Sequence, residues 1–283
     1  MKMLLVVDTE KYSTAAAYVA AKMAINTWAD VTILGIQEEP LRQSPTRLPL
    51  LDSLYIYQHF FTSAEETPYQ SGAPETVEQV DKGLWKVKFF PPCGQKKLEL
   101  LIRKGDLQDE ILKQVDEDQT DFLVMGCANE GEFQWNGMVN LPEKIANKAP
   151  CNILIVKKRE IPKSVVVCLD HDYISQESLE IINQLVTIFQ AELTIVGIIR
   201  PKGLKENVQE KMNQVLQYYT NLNVRAWIRL VEEDSLSEFI ANASKKSIVG
   251  LWLGKKTFLQ KIFSKDRIGQ LINTADSLVL ILK

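Results

Sequence analysis

The sequence predicts an α/β protein built from two tandem, doubly wound parallel sheets, with five strands in each. Three observations predict it. Short apolar runs alternate with segments that are apolar at helical spacing, which is the pattern of a parallel sheet wrapped by helices on both faces. The first half of the chain aligns with the second. Each half also carries a strand, a glycine-bearing loop and a helix in succession, the unit that right-handed parallel crossovers are made of.

The internal repeat is the strongest of the three. Asp8 matches Asp170, Thr32 matches Thr194 and Gly35 matches Gly197, each pair 162 residues apart, so that VTILGI lies over LTIVGI. Further on, Asp106 matches Asp234, Glu110 matches Glu238 and Gly126 matches Gly254, now 128 residues apart. The stretch Ala149–Lys157 matches Ala275–Lys283 at 126. Each offset is constant over one supersecondary unit and changes only between units. The first change places a 34-residue insertion in the first copy, and the second shortens the loop after Gly254 by two residues.

Taken in order, copy one has strands near 3–8, 31–36, 98–103, 122–126 and 152–157, and copy two near 164–169, 193–199, 224–231, 248–253 and 277–282. Phe122–Met125 is a continuous apolar run between Asp121 and Gly126, as in a strand buried on both faces. Leu141, Ile145 and Ala149 follow at helical spacing, and Pro150 ends that helix. In copy two, Leu179, Ile182, Leu185 and Phe189 mark one helix, and Val208, Met212, Val215, Leu216 and Tyr219 the next. The domains are expected at 1–158 and 163–283, joined by the short linker 158–162, in which Pro162 breaks regular structure.

The insertion occupies about 37–97 and holds seven of the eleven prolines. Leu50, Leu54, Tyr57 and Phe61 define one face of a short helix opened by Pro49. Leu84–Phe90 reads as an extra strand that turns through 91–95 onto 98–103. Its aromatic residues, Tyr55, Tyr57, Phe60, Phe61 and Trp85, either form a lid or partner surface or tuck inward to cover one edge of the sheet.

Composition narrows the function. Hydrophobic residues make up 46% and charged residues 24%, as in an ordinary globular protein. A net charge of −3 gives no general attraction to nucleic acid or anionic membrane. No stretch approaches the roughly 20 apolar residues of a membrane span, and the apolar run at the start is too short for a signal peptide. Cys93, Cys127, Cys151 and Cys168 lack CxxC spacing and read as reduced, mostly buried thiols of a cytoplasmic protein. With only His59 and His171, no metal site is expected. No nucleophile–histidine–acid pattern and no GxxxxGK[ST] loop occurs, so no catalytic residue is assigned.

The stretch Asp121–Lys157, DFLVMGCANEGEFQWNGMVNLPEKIANKAPCNILIVK, carries a resemblance. It is similar to the C-terminal half of a universal stress protein domain, a UspA-like α/β module with an adenine nucleotide α-hydrolase-like fold. ATP-binding members of that family carry Gly-x-x-Gly-x9-Gly-Ser in this loop. Here Gly126 is the first glycine, Asn129 stands at the second, and Val139 and Asn140 stand at the closing Gly-Ser. The frame around the motif, VMG before and EKIANKAPCNILIV after, is kept.

The resemblance implies a tandem member that binds ATP or AMP, with site positions carried over residue by residue. Asp8 and Asp170 fall where relatives place an aspartate beside adenine and ribose; the alternative for Asp8 is to cap the turn before Ser13 and Thr14. Ile36 and Ile198 fall where backbone groups recognise adenine, and they also pack the core. Gly126, Asn129 and Asn140 lie in the first phosphate loop, where a helix N-terminus can hold an anion. Val139 brings a β-branched side chain to a position where backbone approaches phosphate, and Glu130 and Glu132 add negative charge. Trp135 and Phe133 are candidates to fill the space. In the second loop, Gly254, Lys255 and Ser264 are the candidates, among Lys256, Lys261, Lys265 and Arg267. Two functions are therefore expected: a stress-response sensor or adaptor that binds an adenine nucleotide or other phosphorylated ligand, or a nucleotide-free scaffold that uses the insertion. Either one implies an unknown protein partner. The resemblance also implies that the joined copies act as an intramolecular pseudo-dimer; whether the chain pairs again as a homodimer stays open.

Overall fold

The structure is a computed structural model describing residues 1–37, 49–69, 73–90, 95–128, 135, 140–170, 174–200, 205–253, 259, 263 and 265–283. The chain divides into two compact units, Met1–Arg159 and Glu160–Lys283.

Unit 1 runs β1 (Lys2–Val7), α1 (Lys11–Thr27), β2 (Asp30–Gln37), α2 (Pro49–Thr62), β3 (Ala73–Asp81), β4 (Leu84–Phe90), β5 (Leu98–Lys104), α3 (Leu107–Asp118), β6 (Phe122–Gly126), α4 (Leu141–Lys148) and β7 (Asn152–Val156). Its strands lie in the order β7-β6-β1-β2-β5-β4-β3. The first five are parallel. The runs LLVV of β1, FLVMG of β6 and NILIV of β7 are buried throughout, as strands covered on both faces must be.

Local chemistry sets the ends of the helices. Asp106 caps α3 by accepting from the Asp109 amide at 3.0 Å. Trp28 and Gln119 close α1 and α3 in the left-handed conformation. The Arg103 guanidinium, buried at the end of β5, ties that strand to α3: it donates to Gln114 at 2.6 Å and to Glu110 at 3.2 Å, and it also pairs with Glu117.

The insertion supplies α2, β3 and β4. Leu50, Leu51, Leu54, Tyr57 and Phe61 are buried, so α2 turns its apolar face inward. Gly35 permits this approach, since a Cβ there would lie 2.9 Å from a methyl of Leu50. Phe61 meets Tyr69 edge-on at 5.8 Å, while Tyr55, Phe60 and Trp85 are half-buried. As the sequence predicts, β4 pairs antiparallel with β5, joining Leu84 to Arg103, Trp85 to Ile102 and Lys86 to Leu101. Strand β3 was not anticipated. Among the described residues it pairs with β4 alone, from Ala73 to Asp81, with register shifts beside Pro74 and Asp81. A proline and three acidic residues in nine hide it from a periodicity reading, and an edge strand tolerates both.

Unit 2 runs β8 (Ser164–Leu169), α5 (Gln176–Phe189), β9 (Glu192–Ile199), α6 (Lys205–Asn221), β10 (Ala226–Glu232), α7 (Glu233–Ala243), β11 (Ile248–Trp252), α8 (Lys265–Thr274) and β12 (Val279–Leu282). Its order is β10-β9-β8-β11-β12, all parallel. Leu179, Ile182, Leu185 and Phe189 of α5 are buried, as are Val208, Met212, Val215 and Tyr219 of α6, while Leu216 is half-buried. Ser175 caps α5 by accepting from the Ser178 amide at 3.2 Å. Cys127, Cys151 and Cys168 are buried and form no disulfide, and burial pushes the Cys168 thiol up to about 12. Among the described residues, no helix is long and apolar enough to cross a membrane.

Candidate functional site

In open parallel sheets the ligand position is beyond the carboxyl ends of the central strands. In unit 1 that position follows β1, at Asp8. The Asp8 side chain is buried, and its own chain surrounds it. One carboxylate oxygen accepts from the Glu10 amide at 2.9 Å and from the Ser13 hydroxyl at 2.6 Å. The other accepts from the Tyr12 hydroxyl. The Asp8 amide donates to Ser13 Oγ at 3.0 Å, and the Tyr57 hydroxyl donates to the Asp8 carbonyl at 2.9 Å. The bond to Glu10 closes an Asx turn, which explains why an aspartate suits the start of the β1–α1 connection.

Trp135 completes this arrangement. Its amide donates to the Tyr12 hydroxyl oxygen at 2.7 Å, and its indole N–H donates to the carbonyl of Gly126 at 3.0 Å. The Tyr12 and Trp135 rings lie 5.5 Å apart at 40°. Only 1% of Trp135 is exposed. Gly126 has no room for a side chain, because a Cβ would lie 2.6 Å from the Tyr12 carbonyl oxygen. Burial, then the hydrogen bond and charge of Asp8, raise the Tyr12 pKa above its ordinary value, so Tyr12 stays a neutral donor. Burial does the same to Tyr57. The arrangement is a closed polar network inside an aromatic shell. It offers neither a nucleophile nor an exposed base.

The other candidates of unit 1 lie around it. Ile36 is buried in β2. Asn140 is half-buried at the head of α4 in the left-handed conformation, φ 67°, with no side-chain capping bond. Asn129, with Glu130, Glu132, Phe133 and Val139, lies outside the described residues.

Unit 2 solves the same position differently. Asp170, just past β8, has a fully buried side chain and accepts from Arg200 at 2.8 Å. Arg200 follows β9 and is 29% exposed. Ile198 is buried. The repeat places Ser175 opposite Ser13, but Ser175 serves α5 rather than Asp170, and Ile174 stands where unit 1 has Tyr12. His171, Gly254, Lys255 and Ser264 lie outside the described residues, as do Lys256 and Lys261.

Sequence reasoning names Asp8, Ser13 and Trp135, and Tyr57 only as an aromatic of the insertion; it does not link Tyr57 to Asp8, and it names neither Tyr12 nor Arg200. Arg200 left a readable signal: a cation at the carboxyl end of the strand next to β8. Tyr57 left none, because only the fold brings α2 to Asp8.

Cavities lined by described residues occur away from these positions. One of about 230 Å³ lies at the amino ends of the unit 1 strands, beside Lys2, Asp30 and Lys97. One of about 640 Å³ is at the same end of unit 2, beside Lys163, Glu192 and Arg225. A third, of about 540 Å³, is lined by β8, β9, β10 and α7 residues that include Thr194, Arg229 and Phe239. Among the described residues, no cluster of metal-ligating side chains occurs.

No known family profile matches the sequence, nor does any curated protein. Solved structures do match. A universal stress protein from Archaeoglobus fulgidus DSM 4304 aligns over 100% of this chain and 96% of its own, at TM-score 0.61 and 12% identity. A protein of unknown function from Pseudomonas aeruginosa PAO1 aligns over 100% and 92%, at 0.61 and 14%. The cytoplasmic domain of a prokaryotic cation chloride cotransporter aligns over 99% and 94%, at 0.56 and 12%. At such identities the likeness is one of fold, and that fold serves more than one kind of protein. The chain has the universal stress protein fold, in two tandem units.

Proposed function

We propose that this protein is a non-catalytic stress-response adaptor of the cytoplasm, acting through a protein partner, and that its first unit takes no nucleotide. The observation behind this reading is the environment of Asp8. Three donors of its own chain occupy the carboxylate, and Tyr12, Tyr57 and Trp135 fill the space above it. A nucleotide would have to displace buried aromatic rings and leave their polar atoms unpaired, each at a cost of about 1–3 kcal/mol.

A second reading is confined to unit 2. Arg200 is part-exposed at the carboxyl end of β9, and the sequence after Gly254 is rich in lysine. This favours a phosphorylated ligand such as AMP, held by charge rather than by close backbone approach.

Calorimetric titration with ATP, ADP and AMP in the presence of Mg²⁺ separates the two. The first reading expects no heat at about 1 mM ligand. Heat abolished by Asp8→Ala overturns it. Heat that survives Asp8→Ala and is lost in Arg200→Ala establishes the second reading. A phosphate-release assay with ATP is expected to stay flat.

A further inference from the structure

We propose that the outer edge of β10 is a self-association surface, on which a second copy of this chain adds its own β10 in antiparallel pairing about a two-fold axis at Ile228. The repeat supplies the first argument. Strands β5 and β10 are equivalent, since both lead into a helix and their flanking residues Asp106 and Asp234 match at the 128-residue offset. In unit 1 the outer edge of β5 is covered by β4, antiparallel, with the Lys104 amide donating to the Gly83 carbonyl at 2.9 Å. Among the described residues, β10 pairs with β9 alone. The same edge is thus covered in one unit by an antiparallel strand, and the other unit lacks the insertion that provides it.

The backbone of β10 shows which groups are on offer. The Leu193 amide donates to the Arg225 carbonyl at 2.9 Å, so Arg225 faces β9. Alternation then turns Trp227, Arg229 and Val231 toward β9 and leaves the amides and carbonyls of Ala226, Ile228 and Leu230 pointing outward. The strand runs unbroken from Ala226 to Glu232, without a bulge, proline or lysine. Those are the devices that ordinarily block edge pairing. Instead it exposes 49% of Trp227 and sets the Arg229 guanidinium 4.6 Å over the Phe239 ring.

The side chains select the occupant and the register. A two-fold axis at Ile228 places Ile228 opposite Ile228, Ala226 opposite Leu230 and Trp227 opposite Arg229, twice. The outward-facing residues then form the hydrogen-bonded pairs, and Trp227 and Arg229 form the closer, non-hydrogen-bonded ones. Trp227 of the second copy covers the free face of the Arg229 guanidinium, whose other face lies on Phe239. Centring on Arg229 would set arginine against arginine, and centring on Trp227 would set Arg225 against Arg229, twice. Centring on Leu230 would put Ile228 against Glu232. Only the Ile228 register pairs apolar with apolar and cation with ring using residues of β10 alone; centring on Ala226 would draw its partners, Val224 and Arg225, from before the strand.

Sedimentation of the full-length chain tests this. A single-strand interface of this kind is expected to dimerise with a dissociation constant on the order of micromolar. Ile228→Pro removes an outward amide and no bond to β9, so the unit stays folded, as its thermal melt will show. It is expected to weaken dimerisation about 100-fold. Ile228→Lys and Ile228→Glu each place like charges across the axis and are expected to be monomeric, whereas an equimolar mixture of the two is expected to restore the dimer. A wild-type chain that remains monomeric at about 100 μM overturns the proposal and leaves the edge to an extended segment of another protein. A dimer that all three substitutions leave intact also overturns it, because it must form elsewhere.

Discussion

The two units share a strand order and differ in what closes them. In unit 1 the insertion lays β4 on the outer edge of β5 and brings Tyr57 of α2 onto Asp8. In unit 2 the equivalent edge strand, β10, exposes Trp227, and the equivalent aspartate, Asp170, pairs with the part-exposed Arg200. The difference teaches that a copied frame keeps its buried strands while its rims diverge. Strand positions are fixed by packing on both faces, whereas the loops beyond their carboxyl ends are free to take new residues.

The largest expected effect breaks the closure of unit 1 at its centre. Trp135→Ala removes a fully buried indole and its hydrogen bond to the Gly126 carbonyl and is expected to destabilise unit 1 by about 4 kcal/mol in denaturant unfolding, leaving unit 2 unchanged. Gly126→Ala comes next, at about 3 kcal/mol, because the new methyl meets Tyr12 backbone, which cannot yield. Gly35→Ala meets only the end of the Leu50 side chain and is expected to cost about 1 kcal/mol. If the two glycine variants cost the same, Tyr12 does not seal Gly126.

These positions show what the sequence makes legible. The repeat, the buried runs of β1, β6 and β7 and the helix faces of α5 and α6 could all be read, because burial on both faces or on one stripe leaves a period in the residues. The insertion helix could be read from Pro49 and its apolar face, but its destination could not. Tyr57 reaches Asp8 across 49 residues of sequence, and Trp135 reaches Tyr12 across 123. Nothing local records such pairings. Strand β3 was illegible for the opposite reason: it packs too little to need a pattern.

The pH dependence sharpens the comparison from a third side. Burial raises the pKa of Tyr12 and Tyr69 in unit 1 and of Tyr219 in unit 2 above the ordinary value of 10.0. A group whose folded pKa is raised contributes stability that is fully present below its unfolded pKa. That contribution is lost as the pH climbs. Unfolding is therefore expected to set in above pH 10, with these three phenols ionising together with loss of structure; gradual ionisation of a still-folded protein would contradict their burial.

The smallest effect is on the acid side. Burial alone would raise the Glu99 pKa, but hydrogen bonds and charge from Lys86 and Lys97 outweigh it and leave the carboxyl below its ordinary value of 4.5. Its depressed pKa contributes stability above pH 4.5 that fades as the pH falls through the folded value. Glu99→Gln is expected to cost under about 1 kcal/mol at neutral pH and nothing in strong acid, as measured by urea unfolding at each pH. Because Lys86 joins β4 to β5 through Glu99, an effect confined to unit 1 fits the account.

Hydrogen exchange at the two equivalent edges tests the central contrast most directly. The outward amides of β5, at Ile102 and Lys104, are predicted to be protected at every protein concentration, because β4 covers them within the chain. Those of β10, at Ile228 and Leu230, are predicted to exchange rapidly in dilute protein and to gain protection as concentration rises. Equal protection of both edges in dilute protein would contradict the account.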